Sequence, residues 1–170
     1  MTLLTELKKI KRIAAEKQVE NDVFRAFLKQ QDEEETDTIV HQLNDEIAPR
    51  VDCTKCGNCC KSLIAVTNEE IAPLAISLQI TLDGFKEKYI EESEQGQMII
   101  NSIPCHFLSN TTCSVYENRF TQCREFPHLH KPYFTRRLFG TLQYYAVCPI
   151  IFNVVEKLKE ALNFKMLPSQ

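Results

Sequence analysis

At 170 residues the chain is long enough for one domain with an appended arm, and a core of that size forms without staples. Its 44% hydrophobic and 25% charged residues exclude wholesale disorder, and the longest apolar run, residues 144–152, is about half of a membrane span. The net charge of −3 comes with no dominant basic tract, so nucleic acid is not indicated.

Glu6, Lys8 and Lys9 stand where a signal peptide needs an apolar core, so the chain is expected to be cytoplasmic, with no membrane partner. Leu3, Leu7, Ile10 and Ala14 share one helical face, which Phe24, Phe27 and Leu28 resume after a polar middle. The acidic run Asp32, Glu33, Glu34 and Glu35 suits the positive end of a second helix over residues 36–48, with Ile39, Val40, Leu43 and Ile47 inward. Pro49 ends it. Residues 1–48 therefore read as an N-terminal helical arm, the candidate surface for a protein partner, and residues 49–170 as a cysteine-cluster metal-binding domain.

Gly57 and Asn58 put the cysteine run of residues 50–62 in a loop. Thr67 and Glu70 form a capping box before a helix carrying Ile71, Leu74, Ala75 and Leu78, which Pro73 should bend rather than forbid. Thr81 caps another helix with Leu82, Phe85, Tyr89 and Ile90. Residues 98–103 read as a short strand and residues 113–116 as a second, whereas residues 117–145 show no regular pattern. Pro149 suits the first turn of a final helix with Ile150, Ile151, Val154, Val155, Leu158 and Leu162 inward. The expected fold is mainly α, with a loop-rich, metal-bound cysteine centre and at most a small β element.

Four of the eight cysteines fall within eight residues, Cys53, Cys56, Cys59 and Cys60; Cys105, Cys113, Cys123 and Cys148 follow singly. In a reducing compartment such a cluster points to metal rather than to disulfides. Cys53-x-x-Cys56-Gly57 suits a zinc knuckle, in which the glycine takes a backbone angle denied to other residues. Cys53-x2-Cys56-x2-Cys59 with the remote Cys148-Pro149 equally suits an iron–sulfur cluster, though Cys60 departs from the ferredoxin spacing. The cofactor is thus zinc or iron, a 4Fe-4S cluster included.

The single cysteines sit in recognisable contexts. Pro104-Cys105-His106-Phe107-Leu108 is followed by Cys113-Ser114-Val115-Tyr116 with Arg119, then by Gln122-Cys123-Arg124-Glu125-Phe126-Pro127. With the Cys53–Cys60 run and Cys148-Pro149, this resembles the YkgJ-like cysteine-cluster family of zinc- or iron-chelating domains. All eight cysteines find a place in its pattern. The resemblance implies a metal-chelating protein. Phe120 stands where that family has proline, a departure expected to loosen the turn. Flagellin lysine N-methylase carries a similar segment in a longer chain. Here, though, Gly57, Gly84, Gly96 and Gly140 are scattered and offer no glycine-rich loop for S-adenosylmethionine.

Around the thiols, His106, His128 and His130 are lesser candidates for ligation, and His41 reads as structural. Arg119 and Arg124 stand beside ligands, where a guanidinium can offset thiolate charge; they are the candidate cofactor-contacting residues. Phe126, Tyr133, Phe134, Phe139, Tyr144 and Tyr145 suit a hydrophobic wall. Since eight thiols exceed one tetrahedral ion or one cubane, Cys53, Cys56, Cys59 and Cys148 are assigned to one site. Cys60, Cys105, Cys113 and Cys123 form a second site or a reserve. Two rival functions remain: an iron–sulfur enzyme of redox or protein-methylation type, and a zinc-stapled interaction module.

Overall fold

The computed structural model describes residues 2–166; Met1 and residues 167–170, the outer ends of the expected arm and cysteine domain, lie outside the described residues. In chain order the helices are α1 (Leu7–Glu16), α2 (Gln18–Leu28), α3 (Glu33–Ile47), α4 (Asn68–Ser77), α5 (Leu82–Tyr89), α6 (Thr121–Glu125), α7 (Phe134–Gln143) and α8 (Pro149–Ala161). The strands are β1 (Ala65–Val66), β2 (Ile90–Glu92), β3 (Met98–Ile100), β4 (Leu108–Ser109) and β5 (Thr112–Cys113). The protein is mainly helical, with two small antiparallel sheets. It divides into two compact units: the chain up to Asp52 joined by the chain from Pro127 onward, and Cys53–Phe126.

The first unit is a helical cluster in which α3 packs on α7 and α8, α2 on α7, and α1 on α2 and α8. Its core draws Ile10, Phe24, Leu28, Val40 and Ile47 from the N-terminal helices, and Phe134, Leu138, Ile151, Val154, Val155 and Leu158 from α7 and α8. Of the apolar stripe expected across the first two helices, Ile10, Ala14, Phe24 and Leu28 are buried inside this unit, while Leu3, Leu7 and Phe27 are half-buried. One continuous face across α1 and α2 is broken at Lys17, whose backbone (φ −97°, ψ 13°) leaves the helix. Asp32 caps α3 by accepting the Glu35 N–H at 2.8 Å.

Polar groups join distant parts of the same unit. Asp37, only 9% exposed, accepts the N–H groups of Tyr133 and Phe134 at 2.6 and 2.8 Å and so caps α7. Lys159, 5% exposed, reaches Glu20 at 2.7 Å, Asn21 at 2.6 Å and Glu156 at 2.8 Å.

In the second unit β3 lies between β1 and β2, pairing Ala65 with Ile99 and Glu91 with Ile99, while β4 and β5 form a separate hairpin. Its core is Ile64, Val66, Ile71, Leu74, Ala75, Phe85, Ile100, Cys105, Phe107 and Phe120. The capping box of Thr67 and Glu70 is formed, and α4 runs on through Pro73. Thr81 caps α5, accepting the Gly84 N–H at 3.1 Å.

Residues 117–145, expected to be irregular, contain α6 and α7. Both helices take their N-terminal acceptors from carboxylates far away in sequence, Glu70 and Asp37, so no local capping signal marks them. The expected strand over residues 113–116 is displaced to β5, and Tyr116–Asn118 is a 3-10 turn.

Candidate metal centre

The cysteine run of the second unit is built from two 3-10 turns, Cys53–Lys55 and Asn58–Lys61. Between them Gly57 is left-handed (φ +58°), and a Cβ there would stand 2.9 Å from Leu108 Cδ1 and 3.1 Å from the Thr111 carbonyl oxygen. Only glycine lets the run press against the β4–β5 hairpin. The second turn is tied further along the chain, since the Cys60 carbonyl accepts the Cys105 N–H at 2.8 Å. The hairpin brings Cys113 opposite Leu108. Cys123 sits on α6, a five-residue helix fixed from outside itself. Its Thr121 N–H donates to Glu70 at 2.7 Å, and its Gln122 side chain accepts the Ala65 N–H of β1 at 2.9 Å.

These four segments enclose a cavity of about 120 Å³ lined by Cys53, Cys59, Cys60, Cys105, Cys113 and Cys123. Ile64, Phe107, Val115, Phe120 and Phe126 form apolar wall, and Arg119 and Arg124 also line it. The thiols perturb one another. A Cys59 S–H donated to the Cys60 sulfur raises the Cys59 pKa and lowers that of Cys60. Burial pushes the Cys105 thiol up, and pushes Cys123 to about 12, with the neighbouring sulfurs adding to both. Cys59, Cys105 and Cys123 thus resist ionisation until a cation supplies the opposing charge.

The two arginines are differently employed. Arg119 lies 3.8 Å over the Tyr116 ring, donates to the Tyr116 carbonyl at 2.9 Å, and its charge favours the Cys123 thiolate. Arg124 donates to the Arg119 carbonyl at 2.7 Å and so clamps the turn that presents Arg119. Phe120 does not loosen this turn. Its backbone (φ −57°, ψ 153°) is one that proline itself adopts, and its ring is buried 6.3 Å from that of Phe107.

The grouping of thiols cuts across the division suggested by spacing, because Cys59 lines the same cavity as Cys60, Cys105, Cys113 and Cys123. Cys56 is half-buried in the same run and is not among the lining residues. Cys148 belongs to the helical unit, where it is buried at the N-terminus of α8. Of the aromatics proposed as wall, Phe126 lines the cavity, whereas Phe134 and Tyr145 are buried in the helical unit. Their aromatic character carried no sign of which unit they serve. The residues that form the wall with Phe126 carried no sequence signal of that role. His106 Nε2 donates to the Asn101 Oδ1 at 2.6 Å, and His41 meets the Lys131 carbonyl at 3.3 Å. His128 and His130 lie in the chain from Pro127 onward.

Among the described residues no three His, Cys, Asp or Glu side chains are placed to grip one ion. The donor set nevertheless fits a thiophilic metal: sulfur predominates, the walls are apolar, and a guanidinium stands by to offset thiolate charge. Also among the described residues, no helix is long and apolar enough to cross a membrane.

Comparison with known proteins agrees with this chemistry. The family model CxxCxxCC, described as "Putative zinc- or iron-chelating domain", matches residues 52–147, more than half of the chain. The chain belongs to that family. No curated protein and no solved structure matches it.

Proposed function

We propose that this CxxCxxCC-family protein binds metal in the cavity of its second unit, through Cys59, Cys60, Cys105, Cys113 and Cys123, with Cys53 at its edge. The observation that carries the reading is the convergence of cysteines from four separate segments on one apolar-walled cavity. Isolated buried thiols have no reason to gather in this way.

Sulfur donors spread over four segments suit the several irons of a cluster, with zinc as the alternative. A bound cluster would supply electron transfer or Lewis acidity; zinc would supply a staple. In either case Arg119 offsets the negative charge of the thiolates.

Anaerobic purification with metal and acid-labile sulfide analysis tests this. Brown protein with stoichiometric iron and sulfide, lost in Cys113→Ser and Cys123→Ser, is the expected result. Colourless protein with stoichiometric zinc overturns the cluster but keeps the metal centre. Folded protein that takes up neither metal overturns both.

A further inference from the structure

The turn Cys53–Lys55 places two thiols differently. Cys53 is exposed and lines the cavity, whereas Cys56 is half-buried and outside the lining. The Cys56 N–H donates to the Cys53 carbonyl at 3.3 Å, which closes the four residues into one tight turn. The ends of such a turn stand less than about 7 Å apart between Cα atoms, and a disulfide spans about 4.4–6.8 Å. Gly57, pressed on the hairpin, separates this turn from the one carrying Cys59 and Cys60.

We infer that Cys53 and Cys56 form a redox-responsive dithiol whose closure to a disulfide withdraws Cys53 from the cavity and weakens metal retention. The oxidant is a small disulfide of the glutathione type. The Cys53 thiolate attacks one of its sulfurs and displaces one thiol, forming a mixed disulfide. The Cys56 thiolate then attacks the Cys53 sulfur and releases the second thiol. Two protein thiols lose two electrons and two protons, and one small disulfide becomes two thiols. Access decides which thiols react first, and Cys105, 6% exposed, is shielded where Cys53 is open. The effect on metal rests on the metal-centre reading above; the disulfide itself does not.

The experiment exposes metal-free and metal-loaded protein to oxidised glutathione, then traps the remaining thiols by alkylation for mass mapping. A Cys53–Cys56 cross-link forming before any pair among Cys59, Cys60, Cys105, Cys113 and Cys123 is expected in both. Metal retention against a chelator should fall at least several-fold on oxidation of wild type, and oxidised Cys56→Ser should carry glutathione on Cys53 as an unresolved mixed disulfide in place of the cross-link. Cross-links that form first among the other thiols overturn the proposal. So does metal loss in Cys56→Ser before oxidation, which would make Cys56 a ligand, or unchanged retention in the cross-linked wild type. If no metal binds at all, the metal-centre reading fails and the gating with it, while the cross-link map of metal-free protein still decides the dithiol.

Discussion

The Glu70 carboxylate accepts the Thr121 N–H at 2.7 Å through one oxygen and the Thr67 N–H at 2.9 Å through the other. One side chain thus starts α4 and also fixes α6, the helix that presents Cys123 to the cavity. Burial opposes ionisation of Glu70, but the hydrogen bonds from Thr121 and Thr67 outweigh it and hold the carboxyl below its ordinary range.

Glu70→Gln should cost about 1 kcal/mol at neutral pH, the usual scale of a lost cap. Because the folded carboxyl has the lower pKa, its stabilisation is complete above the unfolded value of about 4.3 and is lost as pH falls through the folded one. Urea titrations of wild type and variant should therefore differ at pH 7 and converge in acid. A gap that persists in acid would remove the carboxylate from the explanation.

Gly57→Ala should destabilise the second unit by at least about 1–2 kcal/mol, the cost of a left-handed backbone for an L residue. The crowding against Leu108 and Thr111 adds to it. Metal uptake should fall as well, since this contact sets the cysteine run against the hairpin. Denaturation and metal analysis on the same preparation check both effects, and a variant as stable as wild type would contradict them.

Phe120 separates backbone from packing. Phe120→Ala should cost about 3–5 kcal/mol through loss of a ring buried in the core. Phe120→Pro loses the same ring, but its backbone is already in the conformation proline fixes, so it should be less damaging than alanine by roughly 0.4–1 kcal/mol. Paired denaturant titrations compare the two. Proline faring markedly worse than alanine would show that the local backbone geometry is not tolerated.

Lys159 is the corresponding weak point of the helical unit. Burial opposes ionisation of Glu156, yet Lys159, Lys17 and Tyr145 hold its carboxyl below the ordinary range. Lys159→Met removes the buried cation from Glu156 and Glu20, which keep Lys17, and should cost about 1.5–3 kcal/mol, the scale of a lost charged hydrogen bond. Adding Glu156→Gln to it should recover part of that loss. If the double variant is worse by the sum of the two single effects, the pair does not act as a unit.

Much of the fold is written locally. The caps at Asp32, Thr67 and Thr81 and the proline opening α8 lie within one turn of the helices they serve, so residue order alone reveals them. The kind of chemistry is equally local, because four cysteines in eight residues already carry the signature of the zinc- or iron-chelating family. What tertiary structure decided is every relation that crosses the chain. α6 and α7 depend on Glu70 and Asp37, which stand 51 and 97 positions away from the N–H groups they accept. The thiols that share a cavity are selected by where the hairpin, the Cys105 N–H to Cys60 carbonyl hydrogen bond and α6 place their sulfurs, not by spacing along the chain. Of the sequence neighbours Cys53 and Cys56 only the first lines the cavity, and Cys60 and Cys123 are brought together across 63 residues, because side-chain direction follows backbone torsions while proximity follows packing.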